Sequence, residues 1–153
     1  MTIREVQEKD YGKLIKLFKG FFKTHNIFQK ANEEMIEYLK EQSKENKLII
    51  LEEDSIKGAL FLVNFGQNSD GSHKLWKFRH FAFDSEETAS KLLKEAEDKI
   101  KKSSKTAKIE LTIAENERGI DFYKAKGYVQ EARLTNHYRW GENCFILSKS
   151  FKK

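Results

Sequence analysis

Two side chains of this sequence could take a proton from an ammonium group. Histidine side chains have an unperturbed pKa near neutrality, which suits His80 to that task. It lies in Leu75–Phe83 (LWKFRHFAF), whose alternation predicts a strand with His80 on one face and its immediate neighbours on the other. Glu110, in a second alternating run, is the other candidate. The structural alternative for His80 is a histidine that only completes hydrogen bonds within the fold. The structural alternative for Glu110 is a strand carboxylate paired with a lysine.

The segment Asn116–Tyr128 (NERGIDFYKAKGY), which we call the asparagine motif, has the most distinctive spacing in the chain. The run before it, KIELTIA, alternates as a half-buried strand does. Asn116 is a favoured N-cap residue, and Gly127 suits the left-handed position just after a helix. The pattern therefore predicts a strand, an asparagine cap, a helix of about three turns carrying Phe122 and Tyr123, and a glycine stop.

The rest of the chain continues the same alternation of strands and helices, in the order β-α-α-β-β-β-α-β-α-β-β. Helices are expected after Asp10, after Asn32, at Ser85–Ser103 and within the asparagine motif. The expected strands are Thr2–Val6, Lys47–Leu51, Ala59–Phe65, Leu75–Phe83, Lys108–Ala114, Val129–Trp140 and Cys144–Phe151. The length of 153 residues predicts a single domain spanning residues 1–153.

This pattern resembles the GNAT superfamily of acetyl-CoA-dependent N-acetyltransferases. The residues that match its second conserved motif are Asn116, Gly119 (for a small residue), Phe122, Tyr123, Gly127 and Tyr128. The element order resembles the GNAT fold from end to end. The resemblance implies an α/β (α+β) fold, with a mixed, mostly antiparallel sheet of about seven strands flanked by four helices. Phe83 and Ile113 are then expected near the ends of neighbouring parallel strands.

The resemblance also implies roles for individual residues. Tyr123 would be the general acid that protonates the departing CoA thiolate, unless it is only a packing aromatic. Asn116 would bond to the pantetheine side of the cofactor or to a water molecule, besides capping its helix. The backbone of Phe81, Ala82 and Phe83 would pair with pantetheine and polarise the acetyl carbonyl. The remaining expected cofactor contacts are Ser85, Thr88, Ala89 and Phe122, and the general base would be His80 or Glu110.

The segment Phe83–Ser90 (FDSEETAS) departs from the family. GNAT enzymes carry a Q/R-x-x-G-x-G/A loop here, because backbone N–H groups and a helix N-terminus must approach the CoA pyrophosphate. This segment contains no glycine and no arginine, and it is shorter than the family loop. Ser85 would cap the long helix, while Asp84, Glu86 and Glu87 would lie where the phosphates rest and would repel them.

Two functions follow. The first is an N-acyltransferase that uses acetyl-CoA or another acyl-CoA and acts on an amine, in a small molecule or a protein, which the sequence does not identify. The second is a non-catalytic binding or regulatory protein with a GNAT fold, in which the usual CoA loop has been lost. Retention of Asn116 and Tyr123 at the matching spacing favours the enzyme.

Composition narrows the partners and the compartment. The sequence has no apolar run long enough to cross a membrane and no leader-like N-terminal segment, and its single cysteine, Cys144, suits the reducing cytoplasm. It has no Cys/His cluster with metal-ligand spacing. Nucleic acid is not an expected partner, because the net charge of +5 is modest and a lysine stripe on the first helix is typical of a solvated face. The C-terminal strands are a candidate homodimer interface.

Overall fold

The computed structural model describes residues 1–23 and 26–153. Within them, seven strands and four α-helices follow one another in the predicted order, with 3-10 helices at Glu8–Asp10 and Asn26–Gln29. The strands are β1 (Thr2–Glu5), β2 (Lys47–Glu52), β3 (Ile56–Gln67), β4 (His73–Phe83), β5 (Thr106–Ala114), β6 (Val129–Leu134) and β7 (Cys144–Lys152). The helices are α1 (Tyr11–Phe21), α2 (Asn32–Glu45), α3 (Glu86–Ser103) and α4 (Ile120–Ala125).

These strands form one mixed, mostly antiparallel sheet in the order β1-β2-β3-β4-β5-β7-β6. β4 and β5 are the parallel pair, with register from His73↔Thr106 to Lys77↔Glu110. A parallel pair needs a long crossover, which α3 supplies. The predicted fold class is therefore confirmed, and so is the prediction that β4 and β5 are parallel neighbours.

The chain divides into two compact units, the first comprising Met1–Val63 and Phe78–Lys99. Its core is an apolar cluster to which α1 contributes Leu14, Ile15 and Phe18, all buried. These positions recur at helical spacing, so one face of α1 packs inward and its lysines remain exposed. The single domain inferred from length stays a prediction.

The second unit comprises Asn64–Lys77 and Ile100–Lys153. β5 pairs antiparallel with β7 along its whole length, from Thr106↔Lys152 to Ala114↔Cys144. Alternate residues of β5 are buried, as a strand with one core-facing side requires. None of the described helices in either unit is long and apolar enough to span a bilayer.

The helix of the asparagine motif differs from its prediction. Its N-cap is Gly119 at φ +104°, and α4 has only six residues, so the predictions of an Asn116 cap and three turns are wrong. The chain instead turns after β5, with the Glu117 N–H donating to the Ala114 carbonyl at 3.0 Å. Gly127 has φ +95°, and the Tyr128 N–H donates to the Tyr123 carbonyl at 3.0 Å, so the predicted left-handed stop is confirmed.

The strand predicted to reach Trp140 ends at Leu134. Asn136 then adopts φ +51°, and its side-chain oxygen accepts from the Gly141 N–H at 2.8 Å. Asn143 holds the other side of the turn by accepting from the Asn136 N–H at 3.1 Å. Asparagine tolerates the left-handed region, so a connection replaces the second half of the predicted strand.

Candidate functional site

In the first unit, His80 interrupts the regular alternation predicted for β4. Its φ of +51° lies in the left-handed region, which a non-glycine residue in a strand adopts only when its surroundings hold it there. The Tyr38 hydroxyl lies 2.7 Å from His80 Nε2. The imidazole also meets the rings of Phe18, Phe28 and Phe61 at centroid distances of 5.1 to 6.4 Å. His80 is thus a half-buried base held against an apolar wall and one hydroxyl.

The expected pantetheine-binding segment follows His80 directly. Phe81 and Ala82 are buried, whereas Phe83 is only half-buried. The Phe83 ring packs against Phe81 at 5.2 Å and against Phe21 of α1 at 4.8 Å. β4 therefore ends in a compact set of aromatic rings on the first unit.

The start of α3 is stabilised by its own side chains. Ser85 accepts from the Thr88 N–H through Oγ at 3.2 Å, which confirms it as the cap. The Thr88 hydroxyl donates to Asp84 Oδ1 at 2.7 Å, and Thr88 is buried, as is Ala89. Of the three expected cofactor contacts here, Ser85 alone is exposed, and its oxygen already accepts one helix donor.

Two carboxylates occupy the first turn of α3, as the sequence predicts. Glu86 and Glu87 are both exposed, and Glu87 pairs with Lys91 one turn later at 3.0 Å. Acidic residues at this position stabilise a helix through its dipole. They also weaken the attraction that this N-terminus would otherwise have for an anion.

In the second unit, Tyr123 lies on α4 just beyond the end of β5. It is 6% exposed, and its ring packs against Phe122 at 5.4 Å and Tyr128 at 5.6 Å. Burial, reinforced by the charge of Glu117, raises the pKa of the Tyr123 hydroxyl far above its ordinary value. The hydroxyl therefore stays protonated and can donate a hydrogen bond throughout the physiological pH range.

Glu117 is a residue that the sequence reasoning missed. Desolvation of its carboxyl, followed by the nearby charge of Glu142, raises the pKa of Glu117 above its ordinary value. Within the described chain Glu142 pairs with Arg139 and Glu115 with Arg133, while no ion pair is found for Glu117. Its place inside the asparagine motif was the only available signal, because Glu142 approaches it only after folding.

Two further predicted residues of this unit, Glu110 and Asn116, have surroundings that give less support for a catalytic role. Glu110 on β5 lies 4.0 Å from Lys108 Nζ, and Lys108 also pairs with Glu131. This is the strand carboxylate with a lysine partner that the sequence offered as the structural alternative. Asn116 is exposed in the turn after β5, where its side chain is accessible to solvent and to a ligand.

The predicted residues are thus divided between the two units. His80, the Phe81–Phe83 segment and the start of α3 belong to the first, and Glu110, Asn116, Phe122 and Tyr123 belong to the second. Among the described residues, no group of three or more His, Cys, Asp or Glu side chains could hold a metal ion. The chemistry that these residues offer is proton transfer and hydrogen bonding.

Comparison with known proteins identifies the fold. No protein-family model matches the chain, and no curated protein sequence matches it. Solved structures do. Arabidopsis thaliana Naa50, in complex with the bisubstrate analogue CoA-Ac-MVNAL, has a TM-score of 0.74 at 20% identity, covering 98% of each chain. The aminoglycoside 6'-N-acetyltransferase from Enterococcus faecium has a TM-score of 0.71 at 14% identity, covering 98% of this chain and 97% of that one.

A third solved structure, the ribosomal-protein-alanine N-acetyltransferase from Brucella melitensis, has a TM-score of 0.69 at 14% identity. The match covers 99% of this chain and 100% of the Brucella melitensis chain. Two of the three proteins are named for different acceptors, an aminoglycoside and a ribosomal-protein alanine, yet all three match this chain over nearly its full length. The chain therefore has the fold of the GNAT N-acetyltransferases, as the sequence predicts.

Proposed function

We propose that the protein is an N-acyltransferase that moves an acetyl or other acyl group from CoA to an amine. The observation that carries this proposal is the end-to-end structural match to N-acetyltransferases, one of them in complex with a CoA-based bisubstrate analogue. Fold alone does not fix a function. The residues at the end of β4 and at the start of α4 supply the chemical support.

Tyr123 would serve the leaving group. Bound acyl-CoA would supply the acyl thioester. The CoA thiol released from it has an ordinary pKa well below that of a buried tyrosine. The Tyr123 hydroxyl stays protonated, because burial raises its pKa. It would donate a hydrogen bond to the developing thiolate, which is worth more in a buried site than in water. Asn116 and Phe122 would flank the cofactor from the same unit.

Three residues are candidates for the base that deprotonates the acceptor amine. His80 has a suitable side chain and a hydroxyl partner, Tyr38, at 2.7 Å that orients its ring. Glu117 has a raised pKa, which makes its carboxylate a stronger base than an ordinary glutamate. Glu110 is the third candidate, and the Lys108 ammonium lies 4.0 Å from its carboxylate. We favour His80, because it directly precedes Phe81–Phe83, the segment expected to hold the acyl group.

The fit to CoA differs between the two ends of the cofactor. At the thiol end, the Tyr123 hydroxyl suits the sulfur of an acyl thioester. At the phosphate end, the α3 N-terminus retains its dipole but carries Glu86 and Glu87 in the first turn. Because both carboxylates are exposed, each would cost about 1 kcal/mol of affinity. Binding would be weakened rather than abolished.

A thiol-release assay tests the proposal. The purified protein is incubated with acetyl-CoA and a panel of amines: a peptide N-terminus, a polyamine and an aminoglycoside. Release of free CoA above the amine-free rate, with acetylation of the amine seen by mass spectrometry, supports the enzyme. The pH profiles of His80→Gln, Glu117→Gln and Glu110→Gln then identify the base, because only its loss removes the acidic limb of the profile.

The acidic first turn of α3 favours a second candidate, a non-catalytic protein with a GNAT fold. Here the Thr88 N–H is already satisfied by Ser85, and Glu86 and Glu87 repel phosphate. Such a protein would bind no acetyl-CoA and would release no thiol with any amine. A well-folded protein that neither binds acetyl-CoA nor releases thiol with any amine of the panel would favour this candidate.

A homodimer through the C-terminal strands stays part of the proposal. β6 is the last strand in the sheet order, and Val129 at its start is 59% exposed. An edge strand offers unpaired N–H and C=O groups to a second copy. Light scattering coupled to size exclusion measures the mass directly, and a monomer at high concentration would remove this proposal.

A further inference from the structure

The second unit contains a basic pocket that the acyltransferase proposal does not use. Its volume is about 350 Å³, and it lies where the C-terminal end of α3 meets the start of β5 and the end of β7. Four lysines line it: Lys101, Lys105, Lys152 and Lys153. We call these residues the lysine pocket. None of the described residues that line it is an Asp or a Glu.

The charge of the lysine pocket is not neutralised locally. In the parts of the chain that the structure describes, none of the four lysines forms an ion pair with a side chain. Asp98, three residues before Lys101 on α3, pairs with Lys94 at 2.8 Å. Several uncompensated ammonium groups around one concavity create a local positive potential.

Phe151 holds part of this charge in place. The Lys101 ammonium lies 4.8 Å from the Phe151 ring centroid, and that of Lys149 lies 5.4 Å from it. Cation–π contacts of this kind orient an ammonium group while leaving its remaining donors available. Lys101 and Lys149 are thereby constrained beside the pocket.

Helix stabilisation does not account for the whole cluster. Lysines in the last turn of a helix complement its dipole, which explains Lys101 and its neighbour Lys102. Lys105 follows the helix, and Lys152 and Lys153 come from the other end of the unit's sequence. Their convergence on the same cavity is a product of the fold.

We propose that the lysine pocket binds a small anion with clustered phosphate groups, such as a pyrophosphate or a phosphorylated metabolite. Its volume lies in the range of small-molecule sites. Lysine ammonium groups are compact charges that suit phosphate oxygens, and Ser150 is also among the lining residues. A nucleic acid would instead need basic residues spread along a groove that follows its backbone.

This site is separate from the proposed acyl-transfer residues. Ala107, at the pocket, is the second residue of β5, while Ala114 ends the strand two residues before Asn116. At about 3.3 Å per residue, Ala107 and Ala114 are roughly 23 Å apart. The lysine pocket and Tyr123 therefore lie at opposite ends of the same strand, and a phosphate bound at one does not contact the other.

Calorimetric titration of the full chain with inorganic pyrophosphate tests the proposal. The wild type is compared with Lys101→Gln/Lys105→Gln/Lys152→Gln. The matched control, Lys13→Gln/Lys16→Gln/Lys19→Gln, removes the same charge from exposed positions on α1. We expect saturable binding that weakens at least about tenfold in the pocket variant but little in the control. Amide NMR shifts on titration should be largest at Ala107, Ser150 and Phe151.

Three results would overturn the proposal. They are no pyrophosphate binding by the folded wild type, equal weakening in both variants, and binding that the pocket variant retains. A further titration replaces pyrophosphate with a single-stranded nucleic acid of twelve nucleotides. If this strand binds through the same lysines and pyrophosphate fails to compete, the ligand is a nucleic acid and the small-anion proposal is wrong. Circular dichroism of both variants confirms that a loss of binding is not a loss of fold.

Discussion

The carboxylates at the start of α3 give the sharpest prediction about the cofactor. If CoA phosphates approach this helix end, Glu86→Gln/Glu87→Gln should tighten acetyl-CoA binding. The Glu87 side chain is 78% exposed and pairs with Lys91 at 3.0 Å. Its repulsion of a phosphate is therefore screened and is weaker than that of Glu86. A unit charge about 4 Å from a phosphate costs ~1 kcal/mol in water, so the pair costs about 1–2 kcal/mol. The expected gain in affinity is roughly 5- to 30-fold.

The matched control is Glu33→Gln/Glu34→Gln. These residues also occupy the first turn of a helix, α2, and are exposed. Both variants remove the same charge and the same kind of dipole interaction, which costs roughly 0.3–1 kcal/mol of stability for each carboxylate. Isothermal titration calorimetry gives the affinities. A wild type that binds acetyl-CoA while the α3 variant gains no more than the α2 control would refute the phosphate position.

Three further variants test other parts of the structure. Tyr123→Phe removes the hydrogen bond proposed for the leaving thiolate and should lower kcat by about 10²–10³-fold with little change in KM, and unchanged turnover would return Tyr123 to a packing role. Gly58→Ala places a Cβ 2.6 Å from Leu92 Cδ1 and should lower the free energy of unfolding by about 1–3 kcal/mol in denaturant, whereas unaltered stability would mean that α3 shifts freely. Asp10 is buried and held by Arg4 at 2.7 Å, so Asp10→Asn should cost about 3 kcal/mol at neutral pH. Hydrogen bonding from Arg4 lowers the pKa of Asp10. This stabilisation is therefore complete above the unfolded pKa of about 3.9 and is lost as pH falls through the lower folded value, so the gap between wild type and variant should close in acid.

The element order was predictable because apolar periodicity and turn residues act locally. Gly127 illustrates this, since a left-handed stop needs only the local chain. The Asn116 cap failed for the opposite reason: Gly119 offers a positive φ nearer the helix, and the chain turns before α4 begins. The strand to Trp140 failed because alternation alone cannot weigh the paired side-chain bonds that Asn136 and Asn143 make within the turn.

The candidate site was predictable only in part. Tyr123 and the cap at Ser85 follow from motif spacing and helix-end chemistry. The left-handed backbone of His80 and its contact with Tyr38 do not, because they depend on residues distant in sequence. Glu117 is a similar case, since this residue is exposed and the raised pKa of its carboxyl depends on local desolvation and on the approach of Glu142. Residue type and spacing reveal which groups can react, whereas tertiary packing decides their ionisation.

Acyl transfer from CoA is the central claim, and calorimetric titration of the purified wild type with acetyl-CoA tests it most directly. The account predicts saturable binding at one site per chain with a dissociation constant between roughly 1 μM and 1 mM, the range typical of enzyme substrates. Free CoA, which lacks the acyl group, should compete for the same site. A folded protein that gives no heat of binding up to about 1 mM acetyl-CoA would contradict the claim and leave the fold without the cofactor of its structural relatives.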